Sequence, residues 1–218
     1  FMQLYRNGLK KKANNIVEKY QGIEAYSTWF GDKMPIELDV CVQANALYFV
    51  QYYHMPWSST DSATLKLITN VIRDKEYING ANHLSPQYVR PSVVLYHFSR
   101  LMALKPIPEL ESLKASLVEE TEKLLKDSDL FMDQVLLSTS LLRWGVQPPN
   151  LAPHKTKGLA TLIEDDEFAF FINNMGSMLP NSIKDEVYKL GALRFSYHCP
   201  GYNYLLLLEN LAWQQKLS

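Results

Sequence analysis

The chain has 218 residues and a mass of 25.1 kDa, the length of one large domain or two small ones. Its 22 Lys and Arg residues against 23 Asp and Glu give a net charge of −1, which argues against nucleic acid or anionic lipid as a partner. With 47% hydrophobic and 21% charged residues, the composition excludes a disordered or collagenous chain. The 13 Tyr, 9 Phe and 4 Trp residues form an aromatic surplus whose location has to be explained.

Cysteine content and apolar runs bear on where the protein resides. Cys41 and Cys199 are too few for the disulfide framework of a small secreted domain, so we expect a cytoplasmic location. The apolar run 204–208 ends at Glu209, far short of the roughly 20 residues of a membrane helix, so we expect no membrane span. The sequence begins with Phe1 and shows no apolar signal core, which favours a trimmed start.

Apolar residues spaced three and four positions apart predict helices joined by short connections. The first, over 3–20, is basic and amphipathic, and we expect it to form a peripheral surface helix within an N-terminal segment 1–22. The next, over 39–53, is apolar nearly all round, which indicates a buried helix with Asp39 as its N-cap. A third helix is predicted over 58–74.

The second half of the chain continues the helical pattern. Pro91 at a first helical position predicts a helix over 91–104. Further helices are predicted over 109–127, 129–144, 155–164, 182–190 and 201–215. The apolar stretch 168–172 fits a strand and a buried helix equally well.

The order of these helices carries more information than any one of them. Strongly apolar helices starting near residues 39, 91, 132 and 201 alternate with more polar ones starting near 61, 109, 155 and 182. This alternation is typical of antiparallel helix pairs in which one member lines an interior and the other faces water. No Gly, Ser or Pro linker divides the chain, so we expect one all-α domain over 1–218, either an open solenoid or an α/α toroid.

Three stretches favour the toroid. In the first stretch, Trp29 and Phe30 are followed, from residue 39, by Asp-Val-Cys-Val-Gln-Ala-Asn-Ala-Leu-Tyr. The second stretch, over 88–100, reads Tyr-Val-Arg-Pro-Ser-Val-Val-Leu-Tyr-His-Phe-Ser-Arg. The third, over 131–145, reads Phe-Met-Asp-Gln-Val-Leu-Leu-Ser-Thr-Ser-Leu-Leu-Arg-Trp-Gly. Together they resemble the helical-repeat family of squalene and terpene cyclases and protein prenyltransferase β subunits, from about residue 24 to the end. The resemblance implies an α/α toroid, and 218 residues imply an incomplete or partly open one.

The resemblance does not extend to complete catalytic motifs. The sequence lacks the Asp-x-Asp-Asp run with which cyclases protonate a substrate. An enzyme of the cyclase or prenyltransferase type would use Asp39 as its acid or as a metal ligand, which makes Asp39 the candidate catalytic residue. Asp39 and Cys41 match the first half of the prenyltransferase zinc site, but Val93 stands where its His belongs and His97 lies one turn away. We therefore expect neither a metal nor another cofactor.

Helix 39–53 carries two stripes of side chains at helical spacing. One is of mixed polarity: Cys41, Asn45, Tyr48 and Tyr52. The other is apolar: Val42, Ala46, Phe49 and Tyr53. If the apolar stripe packs on neighbouring helices, the mixed stripe points into the interior and contacts a ligand; the alternative is that its residues are structural.

Nine more candidate ligand-binding residues lie in the part of the chain that the resemblance covers: Trp29, Phe30, Tyr88, Arg90, Tyr96, Arg100, Tyr197, His198 and Tyr202. For Arg90 and Arg100 the favoured alternative is a structural ion pair with Asp39 or Glu37. His97 is interpreted as a core histidine with satisfied hydrogen bonds, and Glu209 as the buried partner of an arginine.

Three functions remain open from the sequence. The first is a binding protein whose aromatic-lined cavity encloses an apolar ligand such as an isoprenoid. The second is a cyclase- or prenyltransferase-like enzyme that uses Asp39, and the third is a helical scaffold for protein interactions. The incomplete catalytic motifs favour the first.

Overall fold

The structure is a computed structural model that describes residues 1–149, 151, 157–179, 183–184, 186–187, 190 and 193–217. Over these residues it is mostly helical, as predicted, with one small two-stranded sheet. No helix in this part of the chain combines the length and apolarity needed to cross a membrane.

The helices, in chain order, are α1 (Val40–Tyr52), α2 (Ser59–Arg73), α3 (Glu76–Asn79), α4 (Ala81–Leu84), α5 (Pro91–Leu104), α6 (Pro108–Glu111), α7 (Lys114–Asp127), α8 (Phe131–Arg143), α9 (Leu159–Ile163) and α10 (Pro200–Leu217). Five of them, α1, α2, α5, α8 and α10, match predicted helices to within two residues at each end. The helix predicted over 109–127 is divided into α6 and α7, and that predicted over 155–164 is reduced to α9. Of the helix predicted over 182–190, residues 182, 185, 188 and 189 lie outside the described residues.

Local capping explains why several helices begin where they do. Asp39 Oδ1 accepts hydrogen bonds from the backbone N–H of Cys41 at 2.9 Å and of Val42 at 3.4 Å, so the predicted N-cap is confirmed. At the start of α2, Ser58 Oγ accepts from the Asp61 N–H at 3.2 Å, and Asp61 Oδ2 accepts from the Ser58 N–H at 2.7 Å. This reciprocal pair satisfies two helix-end donors at once.

The predicted surface helix over 3–20 is wrong. The segment instead contains two short 3₁₀ turns, Met2–Tyr5 and Glu18–Tyr20. It is not peripheral either, because Ile16 is 1% exposed and the ring of Tyr20 is 2% exposed, and both belong to the main hydrophobic core.

Asparagine side chains explain this departure from the helical pattern of segment 1–22. Asn15 Nδ2 donates to the carbonyl oxygens of Leu38 at 2.7 Å and His83 at 2.9 Å, and its Oδ1 accepts from the Leu38 N–H at 2.9 Å. Asn7 makes a comparable set of bonds to neighbouring backbone groups. Buried side-chain amides of this kind compete with helical hydrogen bonds and hold the backbone in an irregular path.

Four apolar helices form a continuous row. α1 packs on α5, α5 on α8, and α8 on α10, while the more polar α2 packs on α1 and α7 packs on α5 and α8. The row contains the four apolar helices of the predicted alternation, and α2 and α7 correspond to two of its four more polar helices. The main core lies among the N-terminal segment, α1, α2, α5, α7 and α8, and a second core lies where α5, α8, α9 and α10 meet.

The two-stranded sheet departs from a purely helical fold. Strand β1 (Phe171–Asn174) pairs antiparallel with β2 (Arg194–Tyr197), with Phe171 opposite Tyr197. Of the apolar stretch 168–172, which fitted a strand and a buried helix equally well, residues 171 and 172 form the start of β1, where they pair with β2.

Candidate functional site

A groove of about 460 Å³ opens where α1 packs on α5. It is lined by one stretch of α1 and one residue of α5: Asn45, Tyr48, Phe49, Tyr52, Tyr53 and Arg100. We call it the Arg100 groove. Four of the residues predicted from sequence to bind a ligand, Asn45, Tyr48, Tyr52 and Arg100, come together in it.

Arg100 is held in the groove by an aromatic ring and a side-chain amide. Its guanidinium carbon lies 4.5 Å from the ring centre of Tyr48, and its Nη1 donates to Asn45 Oδ1 at 3.4 Å. Within the described part of the chain, no carboxylate lies within 4.0 Å of Arg100, whereas Arg90 and Arg143 each form an ion pair. The half-buried guanidinium therefore keeps most of its donors available to an anion.

Aromatic rings form the walls of the Arg100 groove. Tyr48 and Tyr52 stack with ring centres 6.0 Å apart at an interplanar angle of 13°. Phe49 contacts Tyr53 at 4.7 Å, and Tyr52 meets Tyr53 edge to face at 5.1 Å. Phe49, Tyr52 and Tyr53 are 46%, 55% and 61% exposed, so their faces are available to an apolar ligand.

The packing of the apolar α1 stripe on neighbouring helices, which was the condition for the mixed stripe to point inward, does not hold for Phe49 and Tyr53. The helix buries a different face: Val40, Cys41, Gln43, Ala44, Ala46, Leu47 and Val50. Because this face already fills the contact with the core, residues on either side of it remain at the surface. Cys41 consequently lies in the packed face and not in the groove.

A buried ion pair next to the row of helices involves Tyr96, a predicted ligand residue. The Arg143 side chain is 3% exposed and pairs with Glu209, and its Nη1 donates to the Tyr96 carbonyl at 2.9 Å and to Ser99 Oγ at 3.2 Å. The Tyr96 hydroxyl donates to Glu209 Oε2 at 2.7 Å, and burial raises its pKa to about 12. The predicted pairing of Glu209 with an arginine is confirmed, but Arg143 is the buried partner, and the Glu209 side chain is 34% exposed.

Phe170 joins three further aromatic residues into one cluster. Its ring centre lies 5.9 Å from that of Tyr88, 5.8 Å from that of Tyr96 and 5.0 Å from that of Tyr202, each edge to face. His97 packs against the same ring at 5.6 Å. These predicted residues are thus brought together around a core ring, and of the three tyrosines Tyr202 is the most exposed, at 38%.

His97 is a core residue, as interpreted from the sequence. Its Nδ1 lies 2.8 Å from the Val93 carbonyl, which requires a proton on Nδ1 and therefore fixes that tautomer in the neutral ring. Burial lowers the pKa of His97 to about 4.

Asp39 is fully buried, and both of its carboxyl oxygens accept hydrogen bonds from other groups of the protein. Besides capping α1, its Oδ1 accepts from the Ser85 hydroxyl at 3.0 Å and its Oδ2 from the Gln87 N–H at 3.0 Å. Burial raises the pKa of Asp39 to about 7 and raises the pKa of the Cys41 thiol well above its usual value. This geometry ties α1 to the loop that carries Ser85 and Gln87.

Trp29 and Phe30 lie apart from the Arg100 groove. The Trp29 indole N–H donates to Glu37 Oε2 at 3.2 Å, beside the buried polar group around Asp39. Phe30 packs edge to face on Phe1 at 6.1 Å. Phe30 therefore packs on the N-terminal segment, whereas Trp29 is bonded to the residues that precede α1.

Arg90 forms a structural ion pair, which was the alternative to a ligand contact favoured from the sequence. Its partner, however, is neither Asp39 nor Glu37. Its Nη1 lies 2.7 Å from Asp133 Oδ2, and the Ser92 hydroxyl donates to Asp133 Oδ1 at 2.5 Å. The pair joins the N-terminal ends of α5 and α8.

The last two predicted ligand residues lie beside the sheet. Tyr197, in β2, is 54% exposed and contacts Phe171 with ring centres 5.5 Å apart. The exposed His198 places Nδ1 3.1 Å from the Phe168 carbonyl. The structure does not place either residue in the Arg100 groove.

Sequence reasoning missed Phe49 and Tyr53 as groove residues and Phe170 as the centre of the aromatic cluster. The exposed face of an all-apolar helix has no periodic signal, so nothing in the sequence of α1 distinguishes Phe49 from a core residue. Phe170 lies in the ambiguous stretch 168–172, whose aromatic content is the only signal that points to it.

Within the described ranges, no group of three or more His, Cys, Asp or Glu residues is arranged to hold a metal ion. No protein-family model, curated protein or solved structure matches the chain. The resemblance to cyclases and prenyltransferase subunits therefore rests on the sequence motifs alone.

Proposed function

We propose that the protein binds a small molecule with an apolar body and one anionic group in the Arg100 groove. The observation that carries this proposal is the half-buried Arg100 guanidinium, which has no carboxylate partner among the described residues and stands among exposed aromatic rings. A phosphorylated isoprenoid fits this description, and so does an aromatic carboxylate.

The dimensions and chemistry of the groove support such a ligand. Its volume of about 460 Å³ falls in the usual range for small-molecule sites. The rings of Tyr52 and Phe49 supply apolar surface, and the Tyr48 ring under Arg100 orients the guanidinium without neutralising it. A charge-assisted bond from arginine to a phosphate or carboxylate is the strongest single contact that the groove could make.

The proposal includes the fold and location that the sequence favours. The row of α1, α5, α8 and α10, with α2 and α7 packed against it, supports an α/α toroid that is incomplete or partly open. The free thiols of Cys41 and Cys199 support a cytoplasmic location. A catalytic role of Asp39 finds no such support, because its carboxyl group is fully buried and bound to protein donors.

The test is calorimetric titration of the full chain with farnesyl monophosphate, farnesol and 2-naphthoate. We expect the phosphate to bind about tenfold more tightly than the alcohol, the gain from one charge-assisted hydrogen bond. Arg100→Gln removes that difference, and Tyr52→Ala weakens all three probes. Lys126→Gln, which removes an exposed charge on α7, is the matched control and leaves binding unchanged.

Three results would count against this function. The first is that none of the three probes binds. The second is that farnesyl monophosphate and farnesol bind with equal affinity, and the third is that Arg100→Gln binds the probes as tightly as the wild-type protein. Binding of 2-naphthoate alone would keep the site and replace the isoprenoid by an aromatic acid.

A further inference from the structure

A second groove surrounds Trp57, which is 42% exposed. A cavity of about 450 Å³ lies between the C-terminal end of α1 and the segment 105–109. Apart from Trp57, its apolar lining includes Val50, Met55, Leu65, Pro106 and Ile107. A smaller cavity of about 230 Å³ shares Trp57 and extends along α2. We call the two cavities together the Trp57 groove.

The Trp57 groove carries an excess of positive charge. Lys66 and Arg73 line its α2 side and Lys105 lines the other side, against a single carboxylate, Glu109. Across the described residues, none of the three cations lies within 4.0 Å of a carboxylate. All three are exposed, so their charges are available to a partner.

The spacing of these cations follows from helix geometry. Ser62, Lys66, Thr69 and Arg73 succeed one another at steps of four, three and four residues, which places them on one face of α2. Lys66 and Arg73 are two turns apart, about 10.5 Å along the helix axis. An extended chain covers this distance with about three residues.

Trp57 is held in position before any partner arrives. Its indole N–H donates to Ser62 Oγ at 3.0 Å, and Ser62 Oγ in turn donates to the Ser58 carbonyl at 3.2 Å. The ring is therefore attached to the first turn of α2 while much of its surface remains exposed. A fixed aromatic ring loses little conformational entropy on binding, which favours it as an anchor of an interface.

We propose that the Trp57 groove binds an acidic peptide segment of a partner protein, with an apolar or aromatic side chain of that segment in the larger cavity. The carboxylates of the segment pair with Lys66 and Arg73. A nucleic acid is disfavoured because the larger cavity is apolar and the chain, with a net charge of −1, has no overall positive charge to hold a long polyanion. The site shares no lining residue with the Arg100 groove.

The experiment uses fluorescence anisotropy of the fluorescein-labelled peptide Phe-Ser-Glu-Glu-Ser-Glu-Glu with the full chain at low ionic strength. Comparison probes are the same peptide with Gln in place of Glu, the same peptide with Ala in place of Phe, and a labelled ten-nucleotide oligothymidylate. The variants are Trp57→Ala and the double variant Lys66→Ala with Arg73→Ala. The matched control, Lys12→Ala with Lys126→Ala, removes two exposed lysines from other parts of the surface.

We expect saturable binding of the acidic peptide below about 1 mM, weakened at least about fivefold by each test variant, by either peptide substitution and by added salt. The control variant keeps wild-type affinity. Circular dichroism checks that the variants are folded. The proposal is overturned if the acidic peptide does not bind, if the Gln peptide binds equally well, if the test variants bind like the control, or if oligothymidylate binds more tightly than the peptide.

Discussion

His97 makes folding stability depend on pH, and one substitution isolates its contribution. The ring is fully buried against Tyr88, Tyr96 and Phe170, and burial lowers its pKa from 6.5 to about 4. A difference of this size between folded and unfolded chains corresponds to about 3 kcal/mol.

The direction follows from the protonation states. Above pH 6.5, His97 is neutral in both the folded and the unfolded chain, so it does not lower the free energy of unfolding. As the pH falls from 6.5 towards 4, the unfolded chain takes up a proton that the folded chain does not, so stability is lost progressively over that window. His97→Phe keeps an aromatic ring at this position and removes the titration.

Urea unfolding of wild type and His97→Phe at pH 7.5 and pH 4.5 measures the effect. The difference in unfolding free energy between the two proteins should shift by about 2.5 kcal/mol in favour of His97→Phe at the lower pH. The matched control is His54→Asn, because His54 is exposed with a positive φ of 52° that asparagine tolerates. A shift that is absent, or that also occurs in the control, would refute the burial argument.

Two further predictions concern other buried charges. Burial raises the pKa of Asp39 from 3.8 to about 7, so between these values the carboxyl group ionises in the unfolded chain but stays protonated in the folded one, and stability falls by up to about 4 kcal/mol as the pH rises through this window. Asp39→Asn should lose that pH dependence in urea unfolding between pH 4 and pH 8. Glu209→Leu should lower the free energy of unfolding by about 3 kcal/mol, because it leaves the buried Arg143 guanidinium unpaired. Arg143→Met should lower it by only about 1 kcal/mol, because Glu209 is one-third exposed and regains hydration.

Each of these predictions has its own contradicting result. Unchanged pH dependence in Asp39→Asn would show that the donors around the carboxyl outweigh its burial. For the ion pair, thermal and urea unfolding at pH 7 would contradict the reasoning if Arg143→Met were as destabilising as Glu209→Leu.

Helix positions were largely predictable because their signals are local. The Asp39 cap, the Ser58 and Asp61 pair and Pro91 each act within a few residues of the helix start. The segment 3–20 shows the limit of this reasoning, since the bonds that hold it irregular reach as far as His83. A periodic pattern cannot reveal a side-chain partner 68 residues away.

In the candidate site, too, some features could be predicted from the sequence and others could not. The sequence alone determined that Asn45, Tyr48 and Tyr52 lie on one stripe, because helical spacing dictates it. Only the tertiary structure decided that Arg100 joins them with no carboxylate of the described residues within 4.0 Å, while Arg143 pairs with Glu209, 66 residues away. The reason is that charge pairing and burial depend on which helix faces meet, and those contacts join residues that are remote in the chain.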